Sequence, residues 1–126
     1  MIDFTLDTAH SILVLRPQAA LEADDFDRLA KAVDPFIEQN GNLAGIIVEA
    51  PSFPGWKTFD ALVHHFRFVR DHHRHIRRVA LVTDSAVGAL GENLASHFVA
   101  AEIRRFPAGG FEAAQRWILE GAEPSH

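Results

Sequence analysis

Cysteine is absent from the 126-residue chain, which excludes disulfides, thiolate catalysis and cysteine-held zinc or iron–sulfur centres. Any metal would have to rest on His, Asp and Glu. No apolar run approaches the roughly 18 to 20 residues that a membrane-spanning helix needs, and Met1-Ile2-Asp3-Phe4 lacks the basic-then-apolar order of a secretion signal. No membrane span and a cytoplasmic location are therefore expected. Also missing are an HExxH pair, a Gly-x-Ser-x-Gly elbow, a P-loop and a GxGxxG turn. Positive charge is the scarcer sign, 12 Lys and Arg against 17 Asp and Glu for a net −5 with histidine neutral. That balance argues against nucleic acid as a partner for the surface as a whole.

What is present reads as one soluble globular domain, with 48% hydrophobic and 23% charged residues. Ile2, Phe4 and Leu6 alternate with Asp3, Thr5 and Asp7, the period of a strand with one wet face, while Ile12 to Leu15 is continuously apolar, as in a strand covered on both faces. The two form a hairpin-like pair. From Phe26 the apolar residues Leu29, Ala30, Val33, Phe36 and Ile37 make an amphipathic helix led by Asp24 and Asp25 and stopped by Asn40-Gly41. Pro35 inside it predicts a kink or an early end. Leu43 to Val48 is the next buried strand, so the connection is a parallel crossover. The pattern repeats with a helical face of Phe59, Leu62, Val63, Phe66 and Val69, a strand at Val79–Val82, and a third helix carrying Val87, Leu90, Leu94 and Phe98. A short strand at Ala101–Phe106 and a last helix from Phe111 to Leu119, closed by Gly121, complete the order ββαβαβαβα. An α/β layer structure with a mostly parallel sheet follows. The domain spans residues 1–121, and 122–126 form a loose tail.

Five of the eight histidines and five arginines crowd into the fifteen residues from His64 to Arg78. Helical spacing speaks against a metal site: His64 and His65 have no histidine at i+3 or i+4, and His65 and His72 lie two turns, about 10 Å, apart. Arg67, Arg70 and Arg74 fall in one stripe. Cations at a helix end oppose the negative pole of the helix dipole, which makes a solvated helix end the first reading and an anionic partner the second. His73 continues the apolar stripe and is expected to be half-buried.

In open parallel sheets ligands gather beyond the carboxyl ends of the strands. Glu49 and Asp84 stand there and could form an acid–base pair, though both also suit strand ends and helix caps. Gly88 and Gly91 near a helix start could admit a phosphate or serve close packing.

Taken together, LAGIIVEAPSFPGW, RRVALVTD, LASHFVAAEIRRF and EAAQRWI, in this order and spacing from Ile2 to about Gly121, resemble the SpoIIAA-like family of STAS-type domains. The resemblance implies a mixed, mostly parallel sheet flanked by helices, a fold also likened to the lipid-carrying SEC14 type. Related anti-sigma-factor antagonists carry an Asp-Ser-Ser-Gly-like turn at the following helix start, where serine accepts phosphate. This chain departs from it with Ser52-Phe53-Pro54-Gly55-Trp56-Lys57-Thr58, in which Thr58 alone lies near the acceptor position. Aromatic Phe53, Trp56 and Phe59 replace the small polar turn. The resemblance thus implies a binding or regulatory module without catalysis, cofactor or metal. It would recognise a protein partner or an apolar small molecule through Phe53, Trp56, Lys57, Thr58 and Phe59, with Thr58 the candidate phosphoacceptor and a homodimer possible. The alternatives are a carrier of a hydrophobic ligand and a small enzyme using Glu49 and Asp84.

Overall fold

The computed structural model describes residues 2–50, 59–83 and 102–122. Five strands, β1 (Ile2–Asp7), β2 (Ile12–Pro17), β3 (Leu43–Glu49), β4 (Ile76–Val82) and β5 (Glu102–Phe106), form one sheet in the order β1-β2-β3-β4-β5. The first two are antiparallel, with Leu6 opposite Leu13, and every later pair is parallel. Three helices, α1 (Ala23–Asn40), α2 (Phe59–His72) and α3 (Phe111–Ala122), are described, and a 3₁₀ turn at His73–His75 links α2 to β4. The expected third helix around Val87–Phe98 lies outside the described residues.

The two faces of the sheet carry separate cores. On one, Leu13, Leu43, Ile46 and Val79 pack under Phe26, Leu29 and Val33 of α1 and Phe68 of α2. On the other, Ile12, Val14, Ile47, Ala80 and Val82 meet Ala114 and Ile118 of α3. Double coverage is why β2, β3 and β4 read as unbroken apolar runs. β1 shows the contrast: Phe4 and Leu6 join the first core while Asp3 and Thr5 are exposed. α1 and α2 share a face because the strand order advances one way and right-handed crossovers then keep to one side.

Gly45 sets how closely α3 approaches. A Cβ built there would stand 2.6 Å from Ile118 Cγ2 and 2.8 Å from the Arg78 carbonyl oxygen, so only glycine lets Ile118 settle on β3. At the hairpin tip Ser11 adopts φ 59°, and its carbonyl accepts the Ala44 N–H at 2.8 Å, tying the tip to the start of β3.

Two local expectations need correction. Pro35 does not end α1 early, since the helix continues to Asn40, where Gly41 at φ 89° donates its N–H to the Ile37 carbonyl at 2.7 Å. Pro35 and Lys31, whose carbonyl loses its partner, both lie on the exposed side, so the lost bond does not leave a buried polar group. Likewise, Gly121 does not close α3, which runs to Ala122. The Arg78 side chain lies against it, and a Cβ at Gly121 would come within 2.5 Å of Arg78 Nε. The glycine makes room for an arginine.

Candidate functional site

The carboxyl ends of the parallel strands form one edge, and its residues follow from the register. Leu15 pairs with Val48, so Arg16 and Glu49 are the next residues out, and Arg16 Nε donates to Glu49 Oε1 at 2.8 Å. The Arg16 guanidinium also lies over the Phe111 ring, 5.6 Å from its centroid, at the start of α3. Opposite charges on neighbouring strands support each other. The Arg16–Glu49 pair was visible in the sequence only as two unrelated strand-end charges; the shared register is the signal that joins them. Beside it, Ala50 donates its N–H to the Val82 carbonyl and buried Thr83 donates its N–H to the Phe106 carbonyl at 2.9 Å. These bonds carry the parallel ladder past the ends of the strands. Glu49 is thus engaged by a cation, and Asp84, its suggested partner in acid–base work, lies outside the described residues.

The segment singled out by the sequence leaves from this edge. Phe53, Trp56, Lys57 and Thr58 lie outside the described residues, as does the side chain of Phe59, whose backbone opens α2. Its frame is described: the segment joins the end of β3, the central strand, to the first turn of α2.

The His64–Arg78 stretch separates into different roles. His72 is buried, 7% exposed. Its ring stacks on Phe68, with centroids 4.2 Å apart, and its Nδ1 lies 2.7 Å from the Phe68 carbonyl oxygen and its Nε2 2.6 Å from Asp34 Oδ1 of α1. Both ring nitrogens therefore bond within the fold, and His72 has no nitrogen to offer a metal. His65 stacks on Phe26 of α1 at 5.0 Å, while His75 is exposed. The side chain of His73, expected to continue the apolar stripe, is outside the described residues. The side chains of the expected apolar face, Phe59, Leu62, Val63, Phe66 and Val69, also lie outside the described residues; described burial on α2 falls at Ala61, Phe68 and His72.

Two of the arginines hold α3. Arg78 stacks over the Trp117 ring at 4.7 Å, donates to the Trp117 carbonyl and pairs with Glu102 at 3.6 Å; Arg77 donates to the Gly121 carbonyl at 3.4 Å. α3 has no basic residue in its own last turn. β4 supplies the cations that its carbonyls and dipole favour. Arg67, Arg70 and Arg74 are exposed.

A family model described as SpoIIAA-like matches residues 12–119, from the first residue of β2 into the third turn of α3. The chain belongs to the SpoIIAA-like family. No curated protein and no solved structure matches it. The match covers all four strands of the parallel part of the sheet, with β1 added beside them. The chain is thus a STAS-type binding or regulatory module, a class generally without catalysis. No described helix is long and apolar enough to cross a membrane.

Proposed function

We propose that this SpoIIAA-like domain is a non-catalytic cytoplasmic regulatory module that recognises a protein partner through residues 52–59, with Phe53, Trp56, Lys57, Thr58 and Phe59 as its contacts. The supporting observation is topological: the segment leaves the carboxyl end of the central strand β3 and leads into α2, the kind of place where open parallel sheets bind ligands. Phe53 and Trp56 supply the large apolar area on which protein recognition concentrates. Thr58, just ahead of α2, is the position where added phosphate would be favoured by the helix dipole.

Trp56 provides the test. Trp117→Phe keeps an aromatic ring beneath Arg78 and leaves Trp56 as the sole indole. A contact surface requires emission typical of a hydrated indole, quenching by acrylamide, and a small stability loss for Trp56→Ala. Core burial would give blue-shifted, unquenched emission and a loss of about 3 to 5 kcal/mol, and the proposed surface would then be wrong. Native mass spectrometry of freshly purified protein separates the occupants. An apolar molecule retained in the spectrum would replace the protein partner by a hydrophobic cargo, and the same spectrum counts the copies in the assembly.

A further inference from the structure

Arg67 and Arg70 of α2 and Arg74 of the following 3₁₀ turn form a row of arginines that takes little part in the described packing. Among the described side chains of this stretch Ala61, Phe68 and His72 are buried, and Arg67, Arg70 and Arg74 are exposed, spaced around the helix away from those three. Helical rise places Arg67 and Arg70 about 4.5 Å apart along the axis, and the 3₁₀ turn carries the whole row to about 11 to 12 Å. Among the described residues Arg67 and Arg74 make no ion pair, and Arg70 meets only its neighbour Asp71 at 3.1 Å, with the two side chains 72% and 57% exposed. The helix dipole favours cations in the last turn. Arg67 stands before that turn and Arg74 beyond the helix, so the dipole accounts for neither. His72 and Arg78, from the same stretch, are consumed by packing; these three are not.

We propose that this ridge docks an acidic helix of a partner protein, one presenting carboxylates at i, i+3 or i+4, and i+7. That spacing repeats at the rise of the arginine row, and guanidinium groups pair with carboxylates through two parallel bonds. Nucleic acid fits less well. Duplex DNA carries a charge about every 1.7 Å, and it would run off a row this short onto a chain whose overall charge is −5. The inference rests on the reading of the chain as a protein-binding module, and it assigns the partner's chemistry at a surface distinct in sequence from residues 52–59.

The probe is a fluorescein-labelled alanine-rich helical peptide with glutamates at this spacing, followed by anisotropy with the full chain. Its glutamine counterpart and an oligothymidylate of equal charge serve as comparisons. The glutamate peptide alone should bind, and its affinity should fall at least about tenfold in the triple variant Arg67→Gln, Arg70→Gln, Arg74→Gln and with added salt. Arg67→Gln by itself, at a side chain without an ion pair, should give a measurable share of that loss in a fully folded protein. Trp56→Ala should leave peptide binding unchanged, so a failure of the loop reading and a failure of the ridge are seen separately. No binding, equal binding by the triple variant, or tighter binding of the oligothymidylate would each overturn the proposal.

Discussion

Gly45→Ala tests the packing of α3 on β3 with a single methyl group. The new carbon would meet Ile118 Cγ2 at 2.6 Å, Ile118 Cδ1 at 2.8 Å and the Arg78 carbonyl oxygen at 2.8 Å. Neither neighbour yields easily. Ile118 is fully buried among Ile12, Val14, Ile47 and Ala80, and the Arg78 carbonyl belongs to β4, paired with β3 in register at Gly45. Relief therefore requires α3 to lift or the strands to shift, and overpacking of this kind costs about 1 to 3 kcal/mol. Alanine restricts the unfolded chain more than glycine does, which offsets about 0.4 to 1 kcal/mol. The two ranges leave a net loss of about 0 to 2.6 kcal/mol, centred near 1.3, read as a lower midpoint in urea at unchanged slope. Ile118→Ala alone should cost about 2 to 5 kcal/mol by leaving a cavity. In the double variant the methyl group introduced by Gly45→Ala occupies part of that cavity, so the combined loss should fall short of the sum by about 1 kcal/mol. Rescue stays partial because the Arg78 carbonyl remains. A Gly45→Ala protein more stable than the parent, or strict additivity in the double variant, would refute the close approach of α3.

Two further outcomes follow from the polar contacts of α1. His72→Phe keeps the stack on Phe68 but gives up the bonds to the Phe68 carbonyl and Asp34; the unfolding free energy from urea titration should drop by about 1 to 2 kcal/mol, and a variant as stable as the parent would show that the α1–α2 bridge contributes nothing. Asp25, only 2% exposed, is pushed up by burial, but the Glu22 N–H, the Arg28 guanidinium and the charged amino terminus together outweigh this and hold its carboxyl below the ordinary 3.8. A carboxyl lowered by folding adds stability that is complete above the ordinary value and disappears as pH falls through the folded one. Thermal melts should therefore show Asp25→Asn clearly less stable than the parent near neutral pH, with the gap closing as pH drops below 3.8; a gap that stays constant would contradict the assignment.

The sheet was largely legible because the hydrophobic pattern carries its topology. β1 alternates since one face is wet, β2 to β4 do not since both are covered, and a helix between two buried strands demands a crossover. The misreadings came where tertiary contacts override local rules. Pro35 breaks helices when its site needs a backbone donor, and here that site faces water. Glycine ends a helix by turning left-handed, which Gly121 does not do, and it stays helical with the Arg78 side chain against it.

On α2 the difficulty lies in the width of the apolar arc. Ala61, Leu62, Val63, Phe66, Phe68 and Val69 span more than half the circumference at 100° per residue, so periodicity cannot say which side meets α1. The sequence favoured a stripe of Phe59, Leu62, Val63, Phe66 and Val69 continued by His73, whose side chains lie outside the described residues, and the described burial falls at Ala61, Phe68 and His72. That burial decides how the described part of the stretch is interpreted. It turns His72 inward to Asp34, a partner 38 residues distant that no local pattern names, and it leaves Arg67, Arg70 and Arg74 on the outer side. The density of His and Arg that first suggested one site is therefore the superposition of three demands: a bridge between α1 and α2, a pair of cations from β4 for the end of α3, and a row of guanidinium groups facing solvent. Packing accounts for the first two. Among the described residues the third is met by one exposed ion pair, Arg70 with Asp71, which makes it the part of the cluster with capacity left for a partner.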